Sequence, residues 1–185
     1  TAPIARWIKT ASGDRTKLVH LGRPRAPLDE FDLIVTTPQY GLPAQPNILE
    51  IDLPFAHPRG APKAEQASWL QNWQDLPRPL IAVVVGGAKF PIRMGASDLR
   101  RLAAEANGLA RERKGSLVII LAPRTNARHA QAMLQEFDVP YRFYPWGPGK
   151  PNPYQAALGL ADEFVVTSES ASMISEAVYS GKPVN

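Results

Sequence analysis

Two six-residue runs, Leu80–Val85 (LIAVVV) and Ser116–Leu121 (SLVIIL), constrain this chain more than any other feature. A strand with one wet face alternates apolar and polar residues, and these do not. Both faces must therefore be covered, as in a parallel sheet with helices on each side. Between the two runs lies a helical pattern over 98–114, with Leu99, Leu102, Ala103, Ala106 and Leu109 on its apolar stripe. Ser97 is placed to cap it and Gly115 to end it. The alternation then continues: a helix over 126–137, a short strand over 141–144, a helix over 154–160 and a strand over 164–167. This order predicts an α/β fold, a Rossmann-like doubly wound parallel sheet.

The closing stretch, ADEFVVTSESASMISEAVYSGKPV over 161–184, repeats the unit most clearly. An apolar, β-branched run gives way to a serine-rich turn. A helix over 173–179 follows, with Met173, Ile174, Ala177 and Val178 on one face. Gly181 stands where a left-handed C′ residue ends a helix, and Pro183 blocks its continuation. In an open parallel sheet such a turn lies at the carboxyl edge, where ligands bind. A helix N-terminus there offers free N–H groups and a positive dipole end to a phosphate.

Upstream, residues 1–60 read as the end of another Rossmann-like domain. A helix over 3–9 is followed by strands over 17–21, 31–36 and 48–53, with proline and glycine between them. Residues 61–79 read as a linker with a short helix. Its Trp69 and Trp73 lie four apart and suit packing on the next domain better than a stacking platform. Residues 80–185 form the second, carboxyl-terminal domain of this scheme. Thr1 opens directly into a helical pattern, and Val184-Asn185 stops where a further buried strand should begin, so a truncated chain is expected.

Three strand-end turns carry the candidate chemistry. Gly86 and Gly87 let backbone approach a phosphate, and Lys89 adds charge. No Walker motif or full GxGxxG accompanies them, and a tight strand-to-helix turn explains the glycines equally well. Arg124 after the second strand suits bidentate phosphate binding, or is a surface arginine. Ser168, Ser170, Ser172 and Ser175 crowd the third turn beyond what N-capping alone requires. Glu176 complements the helix dipole and suits a ribose diol, with a surface glutamate as the competing explanation. Tyr144 and Trp146 suit a nucleobase or a buried packing role.

The totals exclude several classes. With no cysteine there is no disulfide framework, thiol nucleophile or cysteine zinc site. His20, His57 and His129 lack metal-ligand spacing, and GxSxG is absent, so neither a metal nor a serine hydrolase is expected. No apolar run nears the roughly 20 residues that span a bilayer, and no signal peptide is visible. The net charge of +4 suits an anionic ligand or an acidic surface, while the scattered basic residues show no nucleic-acid motif.

VVVGGAKF, PNPYQAALGLAD and VVTSESASMISEAVYSGKPV together resemble the bacterial homologues of the plant elongated-mitochondria fission family, from about residue 28 onward. That family is similar to GT-B glycosyltransferases, including the N-acetylglucosaminyltransferase that makes lipid II. The resemblance implies two Rossmann-like domains with the nucleotide-sugar held by the second. Gly86 and Gly87 would face the cleft, and Ser170, Ala171 and Ser172 would give amides to the diphosphate. Glu176 would bind ribose, and residues 144–146 would border the base. The chain departs from the family pattern where a glycine is usual near the diphosphate turn: Glu169 and Ser170 stand there instead. The expected function is metal-independent transfer of a sugar from a nucleoside diphosphate to an acceptor hydroxyl, with no cofactor. A nucleotide-sugar epimerase and a non-catalytic adaptor at a membrane surface are the alternatives. A cytoplasmic location is expected, with peripheral inner-membrane contact and self-association as further expectations.

Overall fold

The computed structural model describes residues 2–57, 60–87 and 93–185. The chain divides into two compact units, Thr1–Pro54 and Phe55–Asn185.

The first unit opens with α1 (Ala2–Ala11), then β1 (Val19–Leu21), β2 (Leu33–Thr36) and β3 (Ile48–Glu50). Among the described residues the three strands form one parallel sheet, ordered β1-β2-β3. Ile34 of the middle strand is fully buried against Leu18 and Phe31. α1 packs through Ala2 and Ala5, leaving Ile4, Trp7 and Ile8 exposed. β3 is shorter than the apolar run 48–53 predicts. The Ile51 N–H still reaches the Thr36 carbonyl (2.9 Å), but Pro38 then turns the neighbouring chain into a 3-10 segment and removes the ladder partner.

Asp32 ties this unit together. It accepts the Leu18 N–H (2.8 Å) and the ammonium groups of Lys9 (2.9 Å) and Lys17 (3.3 Å). The Leu18 N–H first, then Lys9, holds its carboxyl well below the usual carboxylate range. A depressed folded pKa contributes stability that is present above the unfolded value, near 4, and is lost as pH falls through the folded value. Asp32→Asn should therefore lower the melting temperature at pH 7 and flatten its decline between pH 4 and pH 2. Melting curves across that range check this, and parallel curves for the two proteins would refute it.

The second unit contains α2 (Lys63–Asn72), β4 (Leu80–Val85), α3 (Ala96–Arg113), β5 (Ser116–Leu121), α4 (Ala127–Gln131), β6 (Tyr141–Tyr144), α5 (Tyr154–Leu160), β7 (Glu163–Val166) and α6 (Ala171–Tyr179). Its parallel sheet is ordered β6-β5-β4-β7, and Val184 begins a further parallel pairing beside Phe164. The strands are covered on both sides, as the apolar runs predict. Ile81, Val83 and Val85 meet α3 and the segment after α4, while Leu80, Ala82 and Val84 meet Trp73 and helices α5 and α6. This is a doubly wound Rossmann-like sheet. The chain crosses from one edge to the other between β6 and β7, so the topological switch point lies between β4 and β7.

Local details differ from expectation where a distant partner intervenes. α3 starts at Ala96, capped by Gly95, whose N–H donates to Asp98 (2.9 Å); Ser97 is not the cap. Asn107 is buried on α3 and holds the β6 entry: its amide donates to Asp138 (2.8 Å), and its carbonyl accepts from the Asp138 and Val139 N–H groups. The helix expected over 126–137 is α4 followed by a 3-10 segment, Ala132–Glu136. That tighter winding suits a run only a few turns long that must seat Met133 in the core. Gly115 is required by a close approach: a Cβ there would lie 2.2 Å from the Pro79 carbonyl oxygen. Trp73 is buried, its indole donating to the Tyr144 hydroxyl (2.8 Å), and Trp69 meets the Tyr144 ring edge-on.

Candidate functional site

The carboxyl ends of β4, β5 and β7 meet through side chains that cross between turns. The Gly86 N–H donates to Thr167 Oγ1 (2.8 Å), and Thr167 Oγ1 donates to Glu169 Oε1 (2.7 Å). From the turn after β5, Thr125 Oγ1 reaches the carbonyls of Val85 (2.9 Å) and Gly86 (3.1 Å). The glycines answer to this packing. A Cβ on Gly86 would sit 2.1 Å from Glu169 Oε1, and one on Gly87 would sit 2.0 Å from Arg124 Cβ and 2.3 Å from its carbonyl carbon.

On the α6 side of these turns is a cavity of about 220 Å³, lined by Gly86, Gly87, Arg124, Ser170, Ser172 and Met173 among others. Five sites named from the sequence therefore share one space. α6 presents its N-terminus there. Ser170 occupies the N-cap position but makes no side-chain cap hydrogen bond. Among the described residues, no acceptor meets the N–H groups of Ala171, Ser172 or Met173; the first helical bond is Ile174 N–H to the Ser170 carbonyl (3.1 Å). Two of these residues with free donors, Ser172 and Met173, line the cavity beside the positive dipole end of the helix, the arrangement that suits an anion. Gly181, at φ +74°, closes the helix beyond its other end.

The remaining sites fall elsewhere. Ser168 is exposed and borders a second cavity of about 300 Å³ on the α3 side, with Arg93, Arg101, Glu105 and Glu169. Ser175 is fully buried, and its hydroxyl has no partner among the described residues, so it belongs to the packed side of α6. Tyr144 is engaged by Trp69 and Trp73, whereas Trp146 in the following loop is 47% exposed. Lys89 lies outside the described residues.

Glu176 stands one helical turn beyond Ser172 and Met173, on the same face. Its Oε2 accepts the Tyr154 hydroxyl at 2.5 Å. Burial first, then the adjacent carboxylate, pushes the Tyr154 phenol far above its ordinary pKa, so it remains a donor. The sequence holds no local signal for this pair, because 22 residues separate its members. Lys182 serves the same neighbourhood structurally. Its ammonium donates to the carbonyls of Leu158 (3.2 Å) and Gly159 (2.8 Å) at the end of α5, with the Phe164 ring 5.9 Å away. Burial lowers its pKa. No helix among the described residues is long and apolar enough to cross a membrane.

Known proteins share this sequence to different extents. The mitochondrial fission protein ELM1 of Arabidopsis thaliana is 29% identical over an alignment 209 residues long, gaps included, which covers 100% of this chain and 48% of the relative. The chain thus spans about half the length of that relative. A universal stress protein from Archaeoglobus fulgidus, solved in complex with dAMP, aligns with 56% of this chain and 94% of its own at 17% identity. The TM-score of that superposition is 0.34. The family described as Mitochondrial fission ELM1 matches residues 1–185, and the chain belongs to that family.

Proposed function

We propose that the second unit binds a nucleoside-diphosphate-sugar and that the full protein transfers the sugar to an acceptor hydroxyl, as a GT-B-like glycosyltransferase. One observation carries the reading: Ser172 and Met173, whose first-turn amides on α6 are unpartnered, line the same cavity as Gly86, Gly87 and Arg124, at the switch point of the sheet. The diphosphate lies against those amides, with Arg124 adding charge. The ribose diol meets Glu176, and the base lies toward Trp146. In the reaction the acceptor oxygen bonds to the anomeric carbon as the bond from that carbon to the diphosphate breaks. The diphosphate departs with the electron pair, stabilised where its charge develops, and the acceptor proton passes to a general base.

A second reading, a non-catalytic adaptor, draws on two observations. Glu169 holds a carboxylate over Gly86, beside the place proposed for the phosphates. The Arabidopsis relative is named for mitochondrial fission rather than for sugar transfer. Calorimetry of the full-length protein with UDP, GDP and ADP separates the two. Micromolar binding of one nucleotide, weakened about 10-fold or more by Glu176→Ala through the lost charge-assisted hydrogen bonds, is the expected result. A folded protein that binds none of the three overturns the transferase reading and leaves the adaptor.

A further inference from the structure

We infer that Glu169 is a specificity-determining residue: its carboxylate, fixed at the wall of the proposed diphosphate cavity, favours a diphosphate whose terminal phosphate is esterified over a free nucleoside diphosphate. The inference rests on the nucleotide-binding reading and adds a selection by charge.

A relay of two hydrogen bonds sets where this charge stands. The Gly86 N–H donates to Thr167 Oγ1 (2.8 Å), and the Thr167 hydroxyl donates to Glu169 Oε1 (2.7 Å). Oε1 lies so close over Gly86 that a Cβ there would be 2.1 Å from it. Gly86 and Ser170, the residue after Glu169, both line the cavity of about 220 Å³. Glu169 itself lines the cavity of about 300 Å³ on the α3 side. It thus stands behind Gly86, outside the phosphate space, and acts on that space through its field. Arg93 and Arg101 share the second cavity, but among the described residues Glu169 makes no ion pair. Its charge is therefore not cancelled by contact.

Arg124 and the free N–H groups of Ser172 and Met173 attract phosphate oxygens of either ligand. A fixed negative charge instead sorts anions by the charge they bring. A terminal phosphate loses its second proton near pH 6, so at about pH 8 a free nucleoside diphosphate carries one negative charge more than its ester. At the effective dielectric constant of about 20 that applies near a protein surface, one added like charge within about 10 Å weakens binding roughly 10-fold. The diphosphate gains that charge when the sugar leaves it, so the same carboxylate favours its release. Holding the Thr167 hydroxyl requires only an acceptor, which glutamine also supplies.

The test uses the full-length protein and its Glu169→Gln and Glu169→Ala variants. UDP, GDP, ADP and their terminal methyl esters are titrated by calorimetry at about pH 8. The methyl ester removes one charge and adds no sugar. For the nucleotide that binds, Glu169→Gln should tighten the free diphosphate about 10-fold more than it tightens the ester. Glu169→Ala should change the ratio in the same direction, and thermal melts establish that both variants are folded. Equal tightening of the two ligands, or none, overturns the inference while leaving nucleotide binding in place. A wild type that binds a free diphosphate but not its methyl ester overturns it as well. If the wild type binds none of these ligands, the functional reading falls and this inference falls with it.

Discussion

Phe164→Ala should destabilise the second unit by about 3–5 kcal/mol, the range for removing a fully buried phenylalanine. Phe164 is 0% exposed, on the inner strand face shared with Leu80, Ala82 and Val84 and next to α5 and α6. Its backbone also carries pairing on both sides: it lies beside Ala82 in the β4–β7 register and bridges to Val184. The cavity left by alanine would lie beneath α5 and α6, whose starts hold Tyr154 and Ser172. Chemical denaturation followed by far-ultraviolet circular dichroism measures the loss. Phe164→Leu, which refills most of the volume, should cost clearly less. Equal losses for the two variants would mean that ring-specific contacts, rather than volume, set the stability there.

Gly87→Ala should be the most damaging small change at the proposed site. The new Cβ would meet Arg124 at its Cβ (2.0 Å), carbonyl carbon (2.3 Å) and Cα (2.5 Å). Backbone cannot rotate away as a side chain can, so one of the two turns must move. Overpacking of this kind costs about 1–3 kcal/mol. Because the moving turn carries Arg124, nucleotide affinity should fall by about 10-fold or more, given the strength of charged hydrogen bonds. Gly86→Ala is the contrast. Its closest neighbour is the far end of the Glu169 side chain, which can turn aside, and Ser170 Cβ stands at an ordinary 3.4 Å. Gly86→Ala should therefore retain stability close to wild type. Similar damage from both substitutions in melting and calorimetry would show that the Glu169 side chain over Gly86 is as fixed as the Arg124 backbone beside Gly87.

Whether a feature is legible in the sequence depends on how far away its partners lie. The strands at 80–85 and 116–121 and the helix at 154–160 are readable to the residue, because full burial on two faces writes itself as an apolar run and helical burial as a period near 3.6. The half-buried strand at 141–144 is legible through its aromatic residues, Tyr141, Phe143 and Tyr144. The convergence of Gly86, Gly87, Arg124, Ser170 and Ser172 follows from topology, since parallel strands deliver their carboxyl-end turns to one edge. What stays hidden depends on partners distant in sequence. The reason for Gly87 is Arg124, and the partner of Glu176 is Tyr154. The polar residue that α3 buries, Asn107, is satisfied by backbone groups at 138–139. Serine spacing is likewise blind to facing: Ser172 borders the cavity while Ser175, three residues on, is buried.

The Thr167 hydroxyl has a single proton, and that proton points at Glu169 while a lone pair receives the Gly86 N–H. The Val84 carbonyl stands 3.5 Å away as the other acceptor within reach. An anion settling near Gly86 repels the Glu169 carboxylate, and once that carboxylate swings out the proton must turn toward Val84. The hydroxyl thus has two acceptors in reach, Glu169 and the Val84 carbonyl, and would turn from the first to the second only if a guest anion displaced the carboxylate.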